Sequence, residues 1–486
     1  MGDGFVTHVT RLVHPWWFRR VVRDEYSSST PCMSIAPEKY DIRCSDSGWD
    51  RFLFRFEHWL LSPGSTDMGR LRGYLRLKQW RDCRTTRERL HAIRVAMKLP
   101  ARALRDSWKA IGDYGEHVER EHGVSRQQQL LHLWWIWVRH GVYPWVYYAF
   151  QLYRPGQLRR ASAFWQESED DRFYRLLNVR ESRDEAELLL DKVRFERWLL
   201  QQGLPTVRTL VEFEDGELVR SALPEGRLPR ASLFSKPNDS LQGRGTQRWT
   251  FDGEGWVGAD GRRDEAQLLD ELREQSRTEG CILVQEQLRN HEALAPIAPN
   301  ALSTVRVLTF RDLEGAVRVL FAVCKIPTGD APTDHMRLGG VAAPVDLTSG
   351  RLMRAIGKSK KPGSAPCENH PDTGVRIEGF QLPHWEEVTR LAISAHQALG
   401  RMLCIGWDVA ILGDGPVIIE GNDNPGHTST QLPTGIALGE TPVVPTLLAR
   451  LRESFSAERR TAPPGLRRRP SAAALQPALT GRGTGR

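Results

Sequence analysis

The chain has 486 residues, which is longer than a usual single domain and predicts two to four domains. Its net charge of +8 suggests a nucleic-acid partner, but residues 459–486 carry seven arginines and no acid. The rest of the chain is therefore nearly neutral, and no specific nucleic acid is expected. The seven cysteines are odd in number and never spaced Cys-x-x-Cys, which argues against a disulfide scaffold or a zinc knuckle and favours a cytoplasmic protein.

The first 180 residues are predicted to form a mainly helical region. The first twenty lack an uninterrupted apolar segment and a small-residue cleavage site, so no signal peptide is expected. Residues 130–150, LLHLWWIWVRHGVYPWVYYAF, are interrupted by Arg139, His140 and Pro144, and the apolar run falls below the ~20 residues that span a bilayer. Their Trp and Tyr content leaves two alternatives: a buried seam between helices, or peripheral contact with the inner face of a membrane.

A change of pattern follows near residue 184. In LLLDKVRFERWLLQQGLP, residues 188–205, Asp191 is the expected N-cap of a helix that ends at Gly-Leu-Pro. Beyond it, short apolar runs alternate with Gly-containing turns and with helices at 264–275 and 385–401, which predicts an α+β segment ending near residue 455. Residues 456–486 are rich in Arg, Pro and Ala and are predicted to be a disordered basic tail.

A glycine-rich loop lies in LFSKPNDSLQGRGTQRWTF, residues 233–251. Lys236 ends a short apolar run, and Gly243 and Gly245 allow successive backbone amides to cradle phosphate oxygens. No Gly-Lys-Ser/Thr follows, so this is not a Walker loop, and a plain β-hairpin is the alternative. The G-x-G-x-x-G match at 253–258 has no apolar helix face after it and predicts a turn rather than a dinucleotide site.

Two predicted strands carry a basic residue. Arg306 lies in the middle of NALSTVRVLTF, and Lys325 lies in LFAVCKIPTG. A buried arginine needs an anion, either a carboxylate such as Asp408 or Glu420 or a bound phosphate. The same question applies to Lys325.

Two acids interrupt the apolar runs of IGWDVAILGDGPVIIEGNDNPG, residues 405–426. If residues 413–415 form a three-residue hairpin loop, Asp408 lies opposite Glu420, and strand alternation places Asn422 on the same face. The opposite, apolar face would consist of Val409, Ile411, Val417 and Ile419. Two facing anions repel, so a basic side chain, a proton or a divalent cation must compensate. An oxygen-only set with an amide favours Mg²⁺ or Mn²⁺, and a structural salt bridge is the alternative.

The order of these motifs resembles the ATP-grasp superfamily, and the last hairpin is similar to that of D-alanine:D-alanine ligases. The segments NALSTVRVLTF, LGGVAAPVDLTSGRL, HPDTGVRIEGFQLPHW and IGWDVAILGDGPVIIEGN more specifically resemble the sugar-transfer-associated ATP-grasp family, also labelled α-L-glutamate ligase-related. The resemblance covers roughly residues 184–450. It implies an α+β ATP-grasp domain at 184–455 in which two subdomains, about 205–285 and 286–455, clasp ATP.

The resemblance also implies a function. It is that of an ADP-forming carboxylate–amine ligase that uses ATP and magnesium, forms an acyl phosphate, and acts in cell-surface polysaccharide, envelope or natural-product biosynthesis. A non-catalytic nucleotide-binding or scaffold protein is the alternative. The implied ATP contacts are Lys192 and Lys236 at the phosphates, Gln242, Gly243 and Gly245 in the closing loop, Gln285, Glu286 and Leu288 at the adenine, and Glu292 at the ribose. The implied metal ligands are Asp408, Glu420 and Asn422.

One position departs from the ligase pattern. D-alanine ligases carry an arginine two residues before the metal-binding aspartate, and this chain has Gly406 there. Either Arg306 or Lys325 is expected to take over that catalytic role, or the acceptor chemistry differs. His370, Asp372 and Arg376 are candidates for lining an acceptor pocket, with a simple turn at HPDTG as the alternative.

Overall fold

The structure is a computed structural model that describes residues 66–83, 85–166, 169, 173, 180–223, 227–238, 245–329, 334, 339–357, 367–426 and 428–461. The expected tail from 462 onward and the first 65 residues lie outside the described part. The predicted α+β fold behind a helical region is confirmed, with ten helices and two separate sheets in the described ranges.

The helices of the helical region begin and end at residues that favour helix caps. Its helices are α1 (Asp67–Asp82), α2 (Thr86–His122), α3 (Arg126–His140) and α4 (Pro144–Ala149), followed by a 3-10 turn at Gln157–Ala163. Thr85 and Ser125 each form a capping box at the start of α2 and α3. Gly123 and Gly141 end these helices with left-handed φ of +67° and +66°. At the start of α2 and of α3, the capping box thus gives partners to the N–H groups of the cap residue and of the third helical residue.

Two short helices connect this region to the sheets, α5 (Arg180–Leu190) and α6 (Lys192–Gln201). Asp191 accepts hydrogen bonds from the amides of Val193 and Arg194, so the predicted N-cap is confirmed. Phe195 and Leu199 are buried in the core of the second sheet, as the apolar face predicts.

The first sheet has seven strands in the order β2-β1-β7-β3-β4-β5-β6, all of them antiparallel. Its strands are β1 (Thr209–Glu214), β2 (Glu217–Ser221), β3 (Leu233–Pro237), β4 (Gln247–Phe251), β5 (Trp256–Gly258), β6 (Gly261–Arg263) and β7 (Ile282–Glu286). Helix α7 (Glu265–Glu279) packs Leu268 and Leu272 against one face. The helix is longer than the predicted 264–275, with Asp264 as its cap. Residues 253–258 form a turn and strand β5, as expected.

The second sheet has six strands in the order β11-β10-β9-β8-β12-β13. They are β8 (Thr304–Arg311), β9 (Val317–Ile326), β10 (Val341–Pro344), β11 (Ile356–Gly357), β12 (Cys404–Leu412) and β13 (Gly415–Asn422). Helix α8 (Trp385–Ala398) shares a core with one face, together with α5 and α6. It ends three residues before the predicted position 401.

The other face of the second sheet is covered over part of its length. Leu308, Phe310 and Phe321 share a core there with α1 and with α10 (Val443–Thr461). Helix α10 follows the short α9 (Thr428–Thr434) and extends six residues beyond the predicted α+β end at 455, into the range expected for the tail. None of the described helices is long and apolar enough to cross a membrane.

Candidate functional site

The site is centred on the β12–β13 hairpin, whose register pairs Asp408 with Glu420 as predicted. The turn is not the predicted three-residue loop, because Leu412 pairs with Gly415 and leaves two residues between the strands. A β-bulge next to Asp408 adds one residue to β13 and restores the register at the acids. The pairing was therefore predicted correctly from an incorrect turn.

The bulge changes which residues form the apolar face of the hairpin. Val409 pairs with Ile418, and both are fully buried in the core beneath α8. Val417 and Ile419 are only partly buried, so the predicted apolar set is wrong for these two. Asp408 lies on the opposite face, and strand alternation puts Gly406 there too.

Two basic side chains from neighbouring strands neutralise Asp408. Arg306 on β8 lies directly opposite Asp408 and donates from Nε to Oδ1 at 2.5 Å and from Nη2 to Oδ2 at 2.8 Å. Lys325 on β9 places Nζ 2.8 Å from Oδ1. The carboxylate alternative for Arg306 is thus observed, and the bidentate geometry is the strongest form of such a pair.

The two acids of the hairpin have opposite electrostatic surroundings. Burial alone would raise the pKa of Asp408, but the charges of Arg306 and Lys325 outweigh it and hold that pKa well below its usual range. Burial, together with the charge of Asp408, raises the pKa of Glu420. Glu420 is only 4.0 Å from the guanidinium of Arg306 and keeps 41% of its side chain exposed. Glu420 is therefore the less fully paired of the two acids.

Gly406 makes room for this arrangement. A Cβ atom at this position would collide with Pro425 and approach Cδ of Arg306 to 3.3 Å. Without it, the carbonyl oxygen of Pro425 accepts a 2.7 Å hydrogen bond from Nη1 of Arg306. Arg306 of the adjacent strand β8 therefore lies directly beside Gly406.

The side-chain oxygens of Glu420 and Asn422 suit a hard cation that has other oxygen ligands as well. Asn422 donates from Nδ2 to the carbonyl oxygen of Gly406 at 3.3 Å and to Oε1 of Glu420 at 3.2 Å, so its amide oxygen keeps its lone pairs. Glu420 and Asn422 offer the more available oxygen ligands for a cation, because the carboxylate of Asp408 is already paired with Arg306 and Lys325. Within the described ranges no cluster of three His, Cys, Asp or Glu side chains could hold a metal, so a cation here would take further oxygens from water or from a bound ligand.

Two further lysines lie on the first sheet and on helix α6, which packs against it. Lys236 is on β3, and its pairing partner Leu283 packs with Val193 of α6 rather than with α7. Burial and the nearby ammonium of Lys192 lower the pKa of Lys236 to about 8, while the charge of Glu420 acts in the opposite direction. Lys192 donates a 2.5 Å hydrogen bond to the carbonyl oxygen of Asn238. Lys236 of the first sheet thus lies near enough to Glu420 of the second for that charge to act on its pKa.

The predicted phosphate loop is described only at its end. Gln242 and Gly243 lie outside the described residues. Gly245 has a left-handed φ of +67°, and its carbonyl oxygen accepts a 3.2 Å hydrogen bond from Gln275 of α7.

The predicted adenine positions lie where the chain leaves the first sheet for the second. Gln285 is buried, pairs with Phe234, and donates from Nε2 to Oγ1 of Thr209 at 3.2 Å. Glu286 is exposed at the end of β7, and Leu288 is partly buried in the connection to β8. Glu292 is exposed at the start of a 3-10 turn.

The weaker acceptor-pocket candidates have structural roles in this state. Nε2 of His370 bonds to the carbonyl oxygen of Pro327 at 3.0 Å, and Asp372 accepts from the amide of Gly329 at 2.5 Å. Arg376 lies on the surface and pairs with Glu378. The turn alternative for HPDTG is therefore favoured.

One acid near the site was not predicted. Asp334 accepts from both the amide and the hydroxyl of Thr304, at 2.8 and 2.5 Å, and its charge acts on Lys325 and Asp408. It lies outside the predicted strands and helices, and no sequence pattern around it distinguishes it from a surface acid. Pro425, by contrast, belongs to an Asn-Pro-Gly turn directly after β13.

Comparison with solved structures finds low-identity neighbours. D-alanine–D-alanine ligase from Bacillus anthracis is 14% identical, with a TM-score of 0.31 over 55% of this chain and 69% of that one. The Coxiella burnetii enzyme is 12% identical, with a TM-score of 0.35 over 61% and 70%. L-amino acid ligase from Bacillus licheniformis is 17% identical, with a TM-score of 0.28 over 54% and 48%. No curated protein matches the chain. A family model described as sugar-transfer associated ATP-grasp matches residues 168–442, more than half of the chain.

Proposed function

We propose a ligase function from one premise: the chain belongs to the sugar-transfer associated ATP-grasp family. The proposed reaction joins a carboxylate to an amine at the expense of ATP, with ADP and phosphate as the other products. The substrate carboxylate attacks the γ-phosphate to give an acyl phosphate and ADP, and the amine then displaces phosphate from the carbonyl carbon. Such a reaction asks the protein mainly for positioning and charge neutralisation.

The observation that carries the proposal is the group of oxygen-bearing side chains on the β12–β13 hairpin: Asp408 pairs in register with Glu420, and Asn422 contacts Glu420. Arg306 and Lys325 lie beside them, and Glu420 is near enough to act on Lys236 of the first sheet. A metal-bound triphosphate presents both signs of charge and suits oxygens and cations placed together in this way. Magnesium, when bound, would neutralise phosphate charge beside Asp408, Glu420 and Asn422.

The other site residues are proposed in matching roles. Lys192 and Lys236 would contact phosphates, and Arg306 and Lys325 would stabilise the charge that develops on the transferred group and on the acyl centre. Gln242, Gly243 and Gly245 would close over the phosphates, while Gln285, Glu286 and Leu288 would contact the adenine and Glu292 the ribose. The two sheets with their helices would act as the clasping subdomains, about 205–285 and 286–455, within an ATP-grasp domain at 184–455.

One observation favours a second candidate, a non-catalytic nucleotide-binding or scaffold protein. Asp408 is fully neutralised by Arg306 and Lys325, as in a structural ion pair. Gly406 stands where the ligases have an arginine. In that case nucleotide would bind without turnover.

Release of ADP separates the two candidates. Wild-type protein is incubated with ATP, magnesium and pooled carboxylates and amines, and compared with Glu420→Gln. Asp414→Asn, an exposed acid in the turn of the same hairpin, is the matched control. The ligase proposal expects ADP that depends on both pools, is lost in Glu420→Gln and is retained in Asp414→Asn. Nucleotide binding without ADP release from any pool would favour the second candidate.

The family's description is the ground for the proposed setting. We place the reaction in cell-surface polysaccharide, envelope or natural-product biosynthesis, in the cytoplasm or at the inner face of a membrane. Fractionation of cells that express the tagged chain would test the location.

A further inference from the structure

Helix α2 carries an apolar stripe on its solvent side, separate from the face that it buries. The buried face includes Ala92, Ala96 and Leu99, which pack with Trp80 and Trp137. The stripe consists of Leu90, Ile93, Met97, Ala101, Leu104 and Trp108, all of which are exposed. Met97 is 75% exposed and Trp108 57%. No residue in the described ranges covers this stripe, although helix α3 packs on α2 and itself exposes Leu131, Trp134 and Trp135.

The spacing of the stripe fits a flat surface better than a partner helix. Its five steps from Leu90 to Trp108 span 18 residues, or 3.6 residues per step, which is the period of a straight helix. A coiled-coil partner requires a period of 3.5 and would place Pro100 at the next core position after Met97. The stripe therefore follows the period of the helix itself, which does not favour a second helix wound around it.

A row of basic residues runs beside the stripe. Arg87, Arg94, Lys98, Arg105 and Lys109 are all exposed and recur at steps of seven and four, which keeps them on one side, about a quarter turn from the stripe. Between residues 86 and 110 the helix has seven Arg or Lys residues and only two acids, Glu88 and Asp106. This side of the helix is therefore strongly cationic.

We propose that the exposed face of α2 is a docking surface for an anionic lipid bilayer. The apolar stripe would enter the boundary between headgroups and acyl chains, and the basic row would contact the anionic headgroups. The helix would lie in the plane of the bilayer without crossing it. This surface is separate from the nucleotide cleft, and its role is independent of the ligase reaction.

The test is flotation of the full chain with phosphatidylcholine vesicles, with and without about a third phosphatidylglycerol. Binding is expected only with the anionic lipid and should fall as salt rises. Met97→Gln with Trp108→Gln should lose at least about tenfold in partitioning, because both side chains are exposed and contribute apolar area only when bound. Arg94→Glu with Lys98→Glu should lose about as much.

Two controls separate this surface from other sources of binding. Leu218→Gln with Val219→Gln removes exposed apolar residues of similar exposure on β2 and should float like the wild type. Replacing the five arginines of residues 462–486 by Gln should also leave the phosphatidylglycerol-dependent binding in place. Magnesium-dependent ATP binding should be equal in all of these proteins, which separates this outcome from that of the ligase proposal.

Three results would overturn the proposal. The wild-type chain could fail to float with anionic vesicles, as expected if residues 1–65 cover the stripe. The Met97 and Trp108 double variant could float as well as the wild type. Light scattering could instead show that this variant halves the mass of a dimer, which would assign the stripe to a second copy of the chain.

Discussion

At the scale of single residues, the two acids of the β12–β13 hairpin differ in their charge partners and in the direction of their pKa shifts. Asp408 is paired with two cations, Arg306 of β8 and Lys325 of β9, which hold it in the ionised form. Glu420 has its pKa raised and remains half exposed. The two carboxylates are therefore not equivalent, although the sequence presents them as a symmetrical pair.

Glu420→Gln is expected to remove magnesium-dependent ATP turnover without destabilising the ligand-free protein. Its raised pKa means that ionised Glu420 is disfavoured in the fold, so neutralising it should gain up to ~1 kcal/mol at this partly exposed site. A raised folded pKa stabilises in acid and loses that effect as pH rises, so the gain should disappear at low pH. Melting temperatures in EDTA and in Mg-ATP measure both effects.

The opposite pattern would support a purely structural ion pair. Removing one member of a buried pair typically costs ~3–5 kcal/mol. A variant that melts several degrees lower in EDTA and still gains normally from Mg-ATP would contradict the metal-site proposal. Asp414→Asn should match the wild type in both conditions.

Lys236→Ala is expected to weaken Mg-ATP binding roughly tenfold or more while the protein stays folded. Because the pKa of Lys236 is lowered to about 8, the wild-type affinity should also fall as pH rises through that value. Lys236→Arg keeps its charge and should bind with less dependence on pH. Titration calorimetry between pH 7 and 9 measures these effects.

Arg318→Ala serves as the control for Lys236. Arg318 is an exposed basic residue near the start of β9, and its loss should leave the affinity unchanged. If Lys236→Ala and Arg318→Ala bind Mg-ATP with equal affinity, Lys236 does not contact the phosphates.

At the scale of elements, local signals were predictable and non-local pairings were not. Asp191 could be identified as an N-cap because a cap is defined within four residues. The bulge in β13 has no sequence pattern of its own, since Ile418 and Ile419 are equally apolar. The Arg306–Asp408 pair joins strands 102 residues apart. Sequence alone therefore left a carboxylate or a phosphate as the partner of Arg306.

A buried histidine connects α8 to the second sheet. His396 donates from Nε2 to the carbonyl oxygen of Met402 at 2.9 Å, and its Nδ1 accepts from Oγ1 of Thr309 at 2.7 Å. Nε1 of Trp407 donates to the same hydroxyl at 2.8 Å. Burial lowers the pKa of His396 to about 4. This neutral histidine is a structural element of the fold rather than part of the cleft.

We expect His396 to make the fold acid-sensitive. Its pKa is lower in the fold than in the unfolded chain, so the unfolded chain binds more protons and stability falls between about pH 6.5 and pH 4. His396→Phe should cost roughly 1–3 kcal/mol at neutral pH, because Thr309 and Met402 lose a partner, and should flatten this acid slope. Urea unfolding across this range measures both.

The control for this prediction is His384→Asn. His384 has a left-handed φ of +51°, which Asn tolerates, and pairs at the surface with Glu387. This variant should keep the wild-type acid slope. The same flattening in both variants would show that His396 is not the source.

At the scale of the whole molecule, helix α10 is part of the packed core. Val443, Val444 and Leu447 of α10 are almost fully buried in the core shared with α1. Residues 462–486 of the predicted tail lie outside the described part. The predicted boundary at 455 therefore falls inside a helix that packs on the second sheet.

Removing residues 462–486 is expected to leave the melting temperature and Mg-ATP affinity unchanged. A chain ending at Pro442 should fail to fold, because it lacks the apolar side of α10. Circular dichroism melting and calorimetry on both proteins test this. Loss of nucleotide affinity in the longer protein would show that the tail takes part in the cleft.

The contacts of Asp408 have a consequence for the order in which ligands arrive. Because Arg306 and Lys325 already neutralise Asp408, the ligand-free protein should need no cation to fold, and EDTA should leave the fold intact. Glu420 and Asn422 alone offer magnesium few protein oxygens, and a triphosphate would add further oxygens and negative charge. Metal and nucleotide would then enter as a single preassembled complex, and Mn²⁺ titrated into the nucleotide-free protein should show little electron-spin-resonance evidence of binding until ATP is added.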